Sequence, residues 1–388
     1  MAQRNASRRG QQKGESFMDY SLLFIVLFLV GFGMVMVFSS SSYEANLKLG
    51  DSTKYLRQQL FASILGIVAM MVVANIPYHF WERFAVPAYV GSAVLILLII
   101  PFGYSSGGAT RWLYIGPISL QVAEVAKLGM ILFLSSLICK MGKQIRTNKG
   151  FMLVLAIPMP IALMIWQITN NLSSAIIVMA IAVLMLFVSC PDYKRFFLLG
   201  LLTLAGAAAA VFYVVQTAQA HVDDLDFRGA RVLAWLDPEA FSSDTGFQTL
   251  QALYAIGSGG VLGKGLGQSM QKRGFLPEAQ NDMIFSIICE ELGLFGGIAV
   301  IIMFLMLIWR LMIIANNAPD LYGALLVVGV MGHIAVQVIL NIAVVTNTIP
   351  NTGISLPFIS YGGSSVMFLL IEIGMTLSVA KGIRLKDL

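Results

Sequence analysis

The chain has 388 residues, of which 58% are hydrophobic and only 12% charged, with a net charge of +5. A soluble domain carries about 25% charged and 45–50% apolar residues, so this chain has half the charge a water-facing surface requires. The apolar excess also excludes a disordered chain. What remains is a polytopic membrane protein whose basic surplus reports topology before it reports any nucleic acid.

Apolar stretches near the ~20 residues needed to cross hydrocarbon recur along the whole sequence. Ten are predicted: Tyr20–Phe38, Gln58–Ala74, Phe84–Phe102, Val122–Ile138, Phe151–Ile168, Leu172–Ser189, Phe196–Val215, Met283–Trp309, Leu321–Val345 and Gly362–Ala380. The runs are continuous rather than alternating, so they read as helices, not barrel strands. The expected fold is an all-α integral membrane protein: a single polytopic domain with a basic tail over residues 1–19. The first apolar run is longer than a signal-peptide core and more spans follow it, so it reads as a retained helix.

Charge asymmetry orients the spans. With the N-terminus inside, the cytoplasmic segments hold Arg4, Arg8, Arg9, Lys13, Arg83, Lys140, Lys143, Arg146, Lys149, Lys194, Arg195, Arg310, Lys381, Arg384 and Lys386. The short outer loops hold only Lys48, Lys54, Arg57 and Arg111. Both termini are therefore expected in the cytoplasm. A long extracytoplasmic loop, residues 216–282, joins spans seven and eight. Its aromatic, apolar and glycine-rich stretches predict that it folds against the membrane domain. No repeat and no matching pair of interrupted helices suggests an inverted-repeat transporter. Cys139, Cys190 and Cys289 show no metal or disulfide spacing, and His79, His221 and His333 are scattered.

Ionisable groups inside the spans are costly and point to function by default. Glu124 and Lys127 lie three apart on span four, close enough to pair. They either fix helix packing or line a polar cavity. Glu290 and Glu291 are adjacent on span eight and project about 100° apart, so no more than one is expected to face a given cluster. Glu372 lies within span ten.

The outer loop contains Gly257-Ser-Gly-Gly-Val-Leu-Gly-Lys-Gly-Leu-Gly267. It lacks the glycine and the hydroxyl of a phosphate-binding P-loop. Its amides and Lys264 would hold an anionic headgroup, or the segment is a plain flexible loop. Asp282 closes the loop in Phe275-Leu-Pro-Glu-Ala-Gln-Asn-Asp282, immediately before span eight. Capping that helix is the weightier reading and would make it more acidic. A catalytic base would need burial or a neighbouring carboxylate such as Glu278. Span ten follows Ile359-Ser-Tyr-Gly-Gly-Ser-Ser365, so its N-terminal amides and Ser364 face outward, where an anion is favoured. Arg111 and Trp112 form either part of a cation-lined headgroup site or an interfacial anchor.

Three separated segments carry a resemblance. They are Gly108-Ala-Thr-Arg-Trp through Gln121-Val-Ala-Glu-Val-Ala-Lys127; Gly246-Phe-Gln through Leu276-Pro-Glu-Ala-Gln-Asn-Asp-Met-Ile-Phe285 to Glu290-Glu-Leu-Gly293; and Pro350-Asn-Thr-Gly-Ile-Ser-Leu-Pro-Phe-Ile-Ser-Tyr-Gly-Gly-Ser-Ser365. In this order they resemble the SEDS family (shape, elongation, division and sporulation), whose members include RodA and FtsW. The Glu-Ala-Gln-Asn-Asp run and Ile354-Ser-Leu-Pro357 look closer to the FtsW branch. Two segments depart from the family pattern. Asn170-Asn-Leu-Ser173 replaces a Pro-Asp-Leu-Gly, so no carboxylate role carries over there. Gln121-Val-Ala-Glu124 keeps the glutamate of Gln-Pro-Ser-Glu without its proline.

The resemblance implies a peptidoglycan glycosyltransferase that polymerises lipid II at the outer face of the bacterial cytoplasmic membrane. It also implies a class B penicillin-binding protein as partner, alongside other membrane proteins of the division complex. The family's loop aspartate maps onto Asp282. Its expected role is general base, or holder of a divalent cation (Mg or Mn), in a single inverting displacement. Arg111, Trp112, Glu124, Lys127, Lys264, Glu290 and Ser364 are the expected substrate-binding residues. A lipid II flippase and a non-enzymatic division scaffold are the alternatives.

Overall fold

A computed structural model describes residues 18–383, apart from 107–108, 116–117, 191, 221–226 and 242–245. Ten helices are long and apolar enough to cross a bilayer: α1 (Tyr20–Leu49), α2 (Lys54–Asn75), α3 (Ala85–Phe102), α4 (Val122–Met141), α5 (Asn148–Thr169), α6 (Leu172–Ser189), α7 (Tyr193–Ala220), α8 (Ile284–Asn316), α9 (Leu321–Val345) and α10 (Gly363–Ala380). The basic tail with Arg4, Arg8, Arg9 and Lys13, together with His221, Arg384 and Lys386, lies outside the described residues.

The ten predicted spans are all present among the described residues, and the differences lie at their ends and at breaks inside two of them. Polar residues prolong α1 by more than ten residues beyond Phe38: Ser39, Ser40 and Ser41 are buried, and Ser40 and Ser41 bond back to carbonyls one turn earlier. The fifth span is two short helices meeting at Pro158, whose missing N–H ends the first. The segment between α3 and α4 is not a loop. It forms a three-stranded antiparallel meander, β1 (Tyr104–Ser106), β2 (Ala109–Ile115) and β3 (Ile118–Gln121), with Trp112 opposite Gln121 and Leu113 opposite Leu120. Its Trp-Leu-Tyr-Ile run, rich in the aromatic and β-branched residues that favour strands, is too short for hydropathy scanning to register.

Helices α4, α9 and α10 form the centre of the bundle, and α7 lies at its edge with none of its spanning window buried. Small residues let backbones close in: a Cβ on Gly374 of α10 would lie 2.6 Å from the Met70 carbonyl of α2. The edge helix leaves an apolar groove of about 750 Å³ between itself and helices α5 and α6, lined by Trp166, Leu172, Met179, Phe187, Phe196 and Leu199 among others.

The decisive departure is in α8, which is two helices. Gly293 sits at φ 68°, ψ −166°, so residues 284–292 form a short helix and residues 294–316 the spanning one. Segment 259–272 of the long loop docks into the break. Amides of Lys264 and Gly265 donate to the Glu290 and Glu291 carbonyls (2.9 Å each), and the Leu294 amide donates to Gly260 (2.9 Å). The loop thereby pairs the carbonyls and amides that the interruption leaves without helical partners.

Candidate functional site

Two helices of the long loop fold over one end of the bundle. In Phe227–Leu236, the Arg231 Nη1 donates to the Asn351 carbonyl (3.2 Å) and the Trp235 indole to the Asn347 carbonyl (3.0 Å). In Phe247–Gly259, Gln248 accepts from the Asn351 side chain (2.9 Å). The segment between α9 and α10 is thus held from above, and it forms one wall around Asp282.

Asp282 is half-buried, and its Oδ1 is sealed from solvent without a hydrogen-bond partner. It does not cap the short helix: the position preceding Ile284 is Met283, with no side-chain cap. The carboxyl is therefore not stabilised as an anion by the helix terminus. Burial, then the charge of Glu278, pushes it up to about 7, against the lowering pull of a backbone hydrogen bond, Arg231 and Arg111. Gly353 faces the other oxygen: a Cβ there would lie 3.6 Å from Oδ2. Unpartnered buried oxygens gather nearby on Gln280, Asn281, Asn341 and Thr352.

The main chain of Asp282 is held by Asn341 of α9, whose Nδ2 donates to the carbonyls of Asp282 (2.8 Å) and Ile354 (2.6 Å). Ser360 binds the adjacent carbonyl of Asn281 (2.6 Å), and the Tyr361 amide donates to Gln280 (2.9 Å). Among the described residues, the four non-glycine positions with positive φ (Asn170, Glu278, Asn347 and Phe358) all lie in the loops around this end. Such strain persists only where the surroundings over-determine it.

Arg111 projects from β2 and donates to the carbonyls of Thr169 (3.2 Å) and Asn170 (2.9 Å), where α5 gives way to α6. Burial, then repulsion from Arg231, lowers this guanidinium from its ordinary value, while Asp282 draws it back. Arg231 is lowered by burial and likewise opposed by Asp282. Two guanidiniums, each held by backbone carbonyls, thus act electrostatically on one carboxyl. Trp112 follows Arg111 on the strand and so points to the opposite face of the sheet. Arg231 is not among the predicted site residues because, three residues after Arg228, it is one of several basic residues in a long loop; only its amphipathic helix, Phe227–Leu236, marks it.

Glu124 and Lys127 do pair (2.8 Å), deep in the bundle. Lys127 also donates to Gln337 Oε1 (3.3 Å), which accepts from His333 Nε2 (2.9 Å), and His333 Nδ1 meets Glu372 (2.8 Å). Gln337 in turn donates to the Ser355 carbonyl (3.0 Å). This sealed chain ties the central helices to the loop beside Asp282. His333, Gln337 and Asn341 recur every four residues, a polar stripe on an apolar helix that was readable in the sequence and overlooked because two of the three carry no charge.

The remaining candidates lie elsewhere. Ser364 Oγ accepts from the Gln121 amide (3.3 Å), and the Gly362 amide at the head of α10 donates to Gln59 (3.1 Å). Lys264 is occupied by Glu290 (2.7 Å) and Ser258 (2.9 Å). Contrary to the expectation from their 100° separation, Glu290 and Glu291 share one cluster, because the loop wraps around both sides of the short helix. Glu290 takes Lys264, Ser269 and the Met270 amide; Glu291 takes Lys272 (2.7 Å), Ser39 (2.8 Å) and the Gly267 amide (3.0 Å). The anions held by the glycine-rich loop are the protein's own carboxylates.

Among the described residues no group of three or more His, Cys, Asp or Glu gathers as a metal cluster. The oxygens of Asp282, Asn341 and Thr352 nevertheless fit the hard-ligand chemistry of Mg²⁺ or Mn²⁺, which is commonly held by one carboxylate plus substrate phosphates.

The sequence matches a family described as cell cycle protein, FtsW/RodA/SpoVE, over residues 20–384. It is 37% identical to stage V sporulation protein E of Bacillus subtilis over 366 residues, covering 94% of this chain and 97% of that one. It is also 37% identical to the probable peptidoglycan glycosyltransferase FtsW of Geobacter metallireducens, covering 93% and 94%. A solved structure titled as a peptidoglycan synthase complex coordinating polymerization and crosslinking superposes with a TM-score of 0.75 at 25% identity, covering 94% of this chain and 98% of that one. The RodA of Thermus thermophilus shares the fold with a TM-score of 0.66 at 24% identity, covering 95% and 98%. The chain belongs to the FtsW/RodA/SpoVE family.

Proposed function

We propose that this protein is a peptidoglycan glycosyltransferase that polymerises lipid II at the outer face of the bacterial cytoplasmic membrane, with both termini in the cytoplasm. The observation that carries the reading is a half-buried carboxyl, its Oδ1 sealed and without a hydrogen-bond partner, within electrostatic reach of two guanidiniums beside an apolar groove. Trp166 and Leu172 of the groove flank the Thr169–Asn170 turn to which Arg111 is bonded. A polyprenyl tail would lie in that groove while its pyrophosphate meets Arg111 and Arg231.

The step is a single displacement. The acceptor sugar's 4-hydroxyl oxygen attacks the donor's anomeric carbon and forms the new glycosidic bond. Its proton passes to Asp282. The bond from carbon to phosphate oxygen breaks, and its electron pair leaves with the polyprenyl pyrophosphate. A carboxyl poised near 7 suits a base at neutral pH better than an acidic cap would. The arginines supply charge where the leaving group becomes negative. In the alternative role, Asp282 with the oxygens of Asn341 and Thr352 would hold a divalent cation bound with the pyrophosphate, which would supply electrostatic stabilisation of the same leaving group.

A class B penicillin-binding protein is the proposed partner, since the similar solved structure is of a complex for polymerization and crosslinking. Cell division or related cell-wall synthesis is the proposed setting: the family is described as cell cycle protein, and the similar proteins include FtsW proteins and a stage V sporulation protein. Nothing favours lipid transport: the intramembrane charges Glu124, Lys127 and Glu372 are buried against partners inside the bundle.

The test is polymerisation of lipid II by purified protein, with and without a penicillin-binding partner. Glycan product that disappears in Asp282→Asn supports the enzyme; headgroup translocation in liposomes without polymer would replace it with a transporter.

A further inference from the structure

A second cleft, of about 550 Å³, opens between the protruding end of α1 and loop residues 266–273. Such a volume lies within the ~300–1,000 Å³ of small-molecule sites. One face of α1 lines it with Val35, Phe38, Ser42 and Asn46, and the loop contributes Leu266 and Arg273. At 1.5 Å per residue, Val35 and Phe38 lie about 23–27 Å along α1 from Tyr20, and Ser42 and Asn46 about 33–39 Å. The hydrocarbon core is about 30 Å thick, so the apolar half of the cleft is at acyl-chain depth and the polar half at headgroup depth.

Of the two cations that line the cleft, Lys272 and Arg273, one is left over. Lys272 is neutralised by Glu291 (2.7 Å) and also donates to Ser39 (3.0 Å). Glu44 is paired with Lys48 (2.5 Å), and Asp51 with Arg57. Arg273 is exposed and has no ion-pair partner among the described residues. The Asn46 amide beside it is exposed as well.

We propose that this cleft binds a membrane lipid with an anionic phosphate headgroup, its acyl chains against Val35, Phe38 and Leu266 and its phosphate at Arg273 and Asn46. The site is separate from Asp282 and assigns a role to the polar extension of α1. It shares Ser39 and Lys272 with the clamp on Glu291, so an occupied cleft buttresses the short helix that leads back to Asp282.

The test uses the full chain purified in detergent, with dioleoyl-phosphatidylglycerol and dioleoyl-phosphatidylcholine as probes and retained lipid counted by native mass spectrometry. The wild type should retain the anionic lipid in preference to the zwitterionic one. Arg273→Gln should weaken that retention about fivefold, the effect of one interfacial cation. Asn46→Leu should weaken it too, while Lys143→Gln, an exposed cation beyond the far end of α4, should leave it unchanged. All three test positions are exposed, so the variants keep the fold. Equal retention of both lipids, indifference to Arg273→Gln, or an equal loss in Lys143→Gln would overturn the proposal. Displacement by inorganic phosphate alone, with no dependence on acyl chains, would overturn the lipid assignment.

Discussion

The side chain of Asn341 holds the main chain of Asp282, donating 2.8 Å to its carbonyl while its second hydrogen reaches Ile354 at 2.6 Å. One amide therefore fixes the two segments that meet at the site. It leaves the Asp282 carboxylate untouched. Asn341→Leu removes both donors and should destabilise the protein by about 1–3 kcal/mol, the cost of buried carbonyls left unpaired. A larger fall in kcat than in substrate affinity would mark Asn341 as a positioning residue; unchanged turnover at full stability would refute that role.

The pH dependence of polymerisation should show an ascending limb with a midpoint near 7, because the base must be deprotonated and burial raises the Asp282 carboxyl to about 7. The sign of two shifts follows from its neighbours. Glu278→Gln removes a negative charge that raises the carboxyl, so the limb should move to lower pH. Arg231→Gln removes a positive charge that lowers it, so the limb should move to higher pH. Steady-state rates between pH 5 and 9 decide this, and matching profiles for all three proteins would remove Asp282 as the titrating group.

Arg111→Lys should cost most of the activity while leaving the fold intact. A lysine keeps the charge but cannot span the Thr169 and Asn170 carbonyls that orient the guanidinium. A loss of about tenfold or more in kcat/KM, with unchanged thermal unfolding, is the expected pattern.

Lys272→Met leaves Glu291 charged and buried beside Ser39, which should cost about 3–5 kcal/mol. The double variant Lys272→Met with Glu291→Gln removes the stranded charge and should recover most of that loss in a thermal-unfolding series. If the single and double variants melt alike, the pair is not the feature that holds the loop to the short helix.

Gly293→Ala should prevent correct assembly altogether. Its φ of 68° suits glycine, and a Cβ would collide with the backbone of Gly263 and Val261. Limited proteolysis of the 259–272 segment in membranes is the direct measurement: protection should be lost in the variant.

Much of this molecule was legible before any coordinates. Hydropathy located ten spans because a chain in hydrocarbon must satisfy its backbone within each segment. The scarcity of charge made Arg111, Glu124, Lys127 and Asp282 conspicuous. The strand carrying Arg111 was missed because its seven residues are too short to register as a span. The break at Gly293 was missed because glycine is common in membrane helices and nothing local distinguishes one that interrupts from one that packs.

Sequence by itself determined the spans, because transfer free energy is summed residue by residue along the chain and needs no knowledge of neighbours. The family was legible from three ordered motifs, which also single out Asp282 as a candidate. Tertiary structure alone decided what the charged residues do. Glu290 and Lys264 became each other's partners, Glu124 and Lys127 became part of a sealed chain, and Asp282 remained without a partner for its Oδ1. Those outcomes depend on burial and on which groups approach through space. Arg231 acts on Asp282 from 51 positions away in the chain, a separation no local pattern encodes.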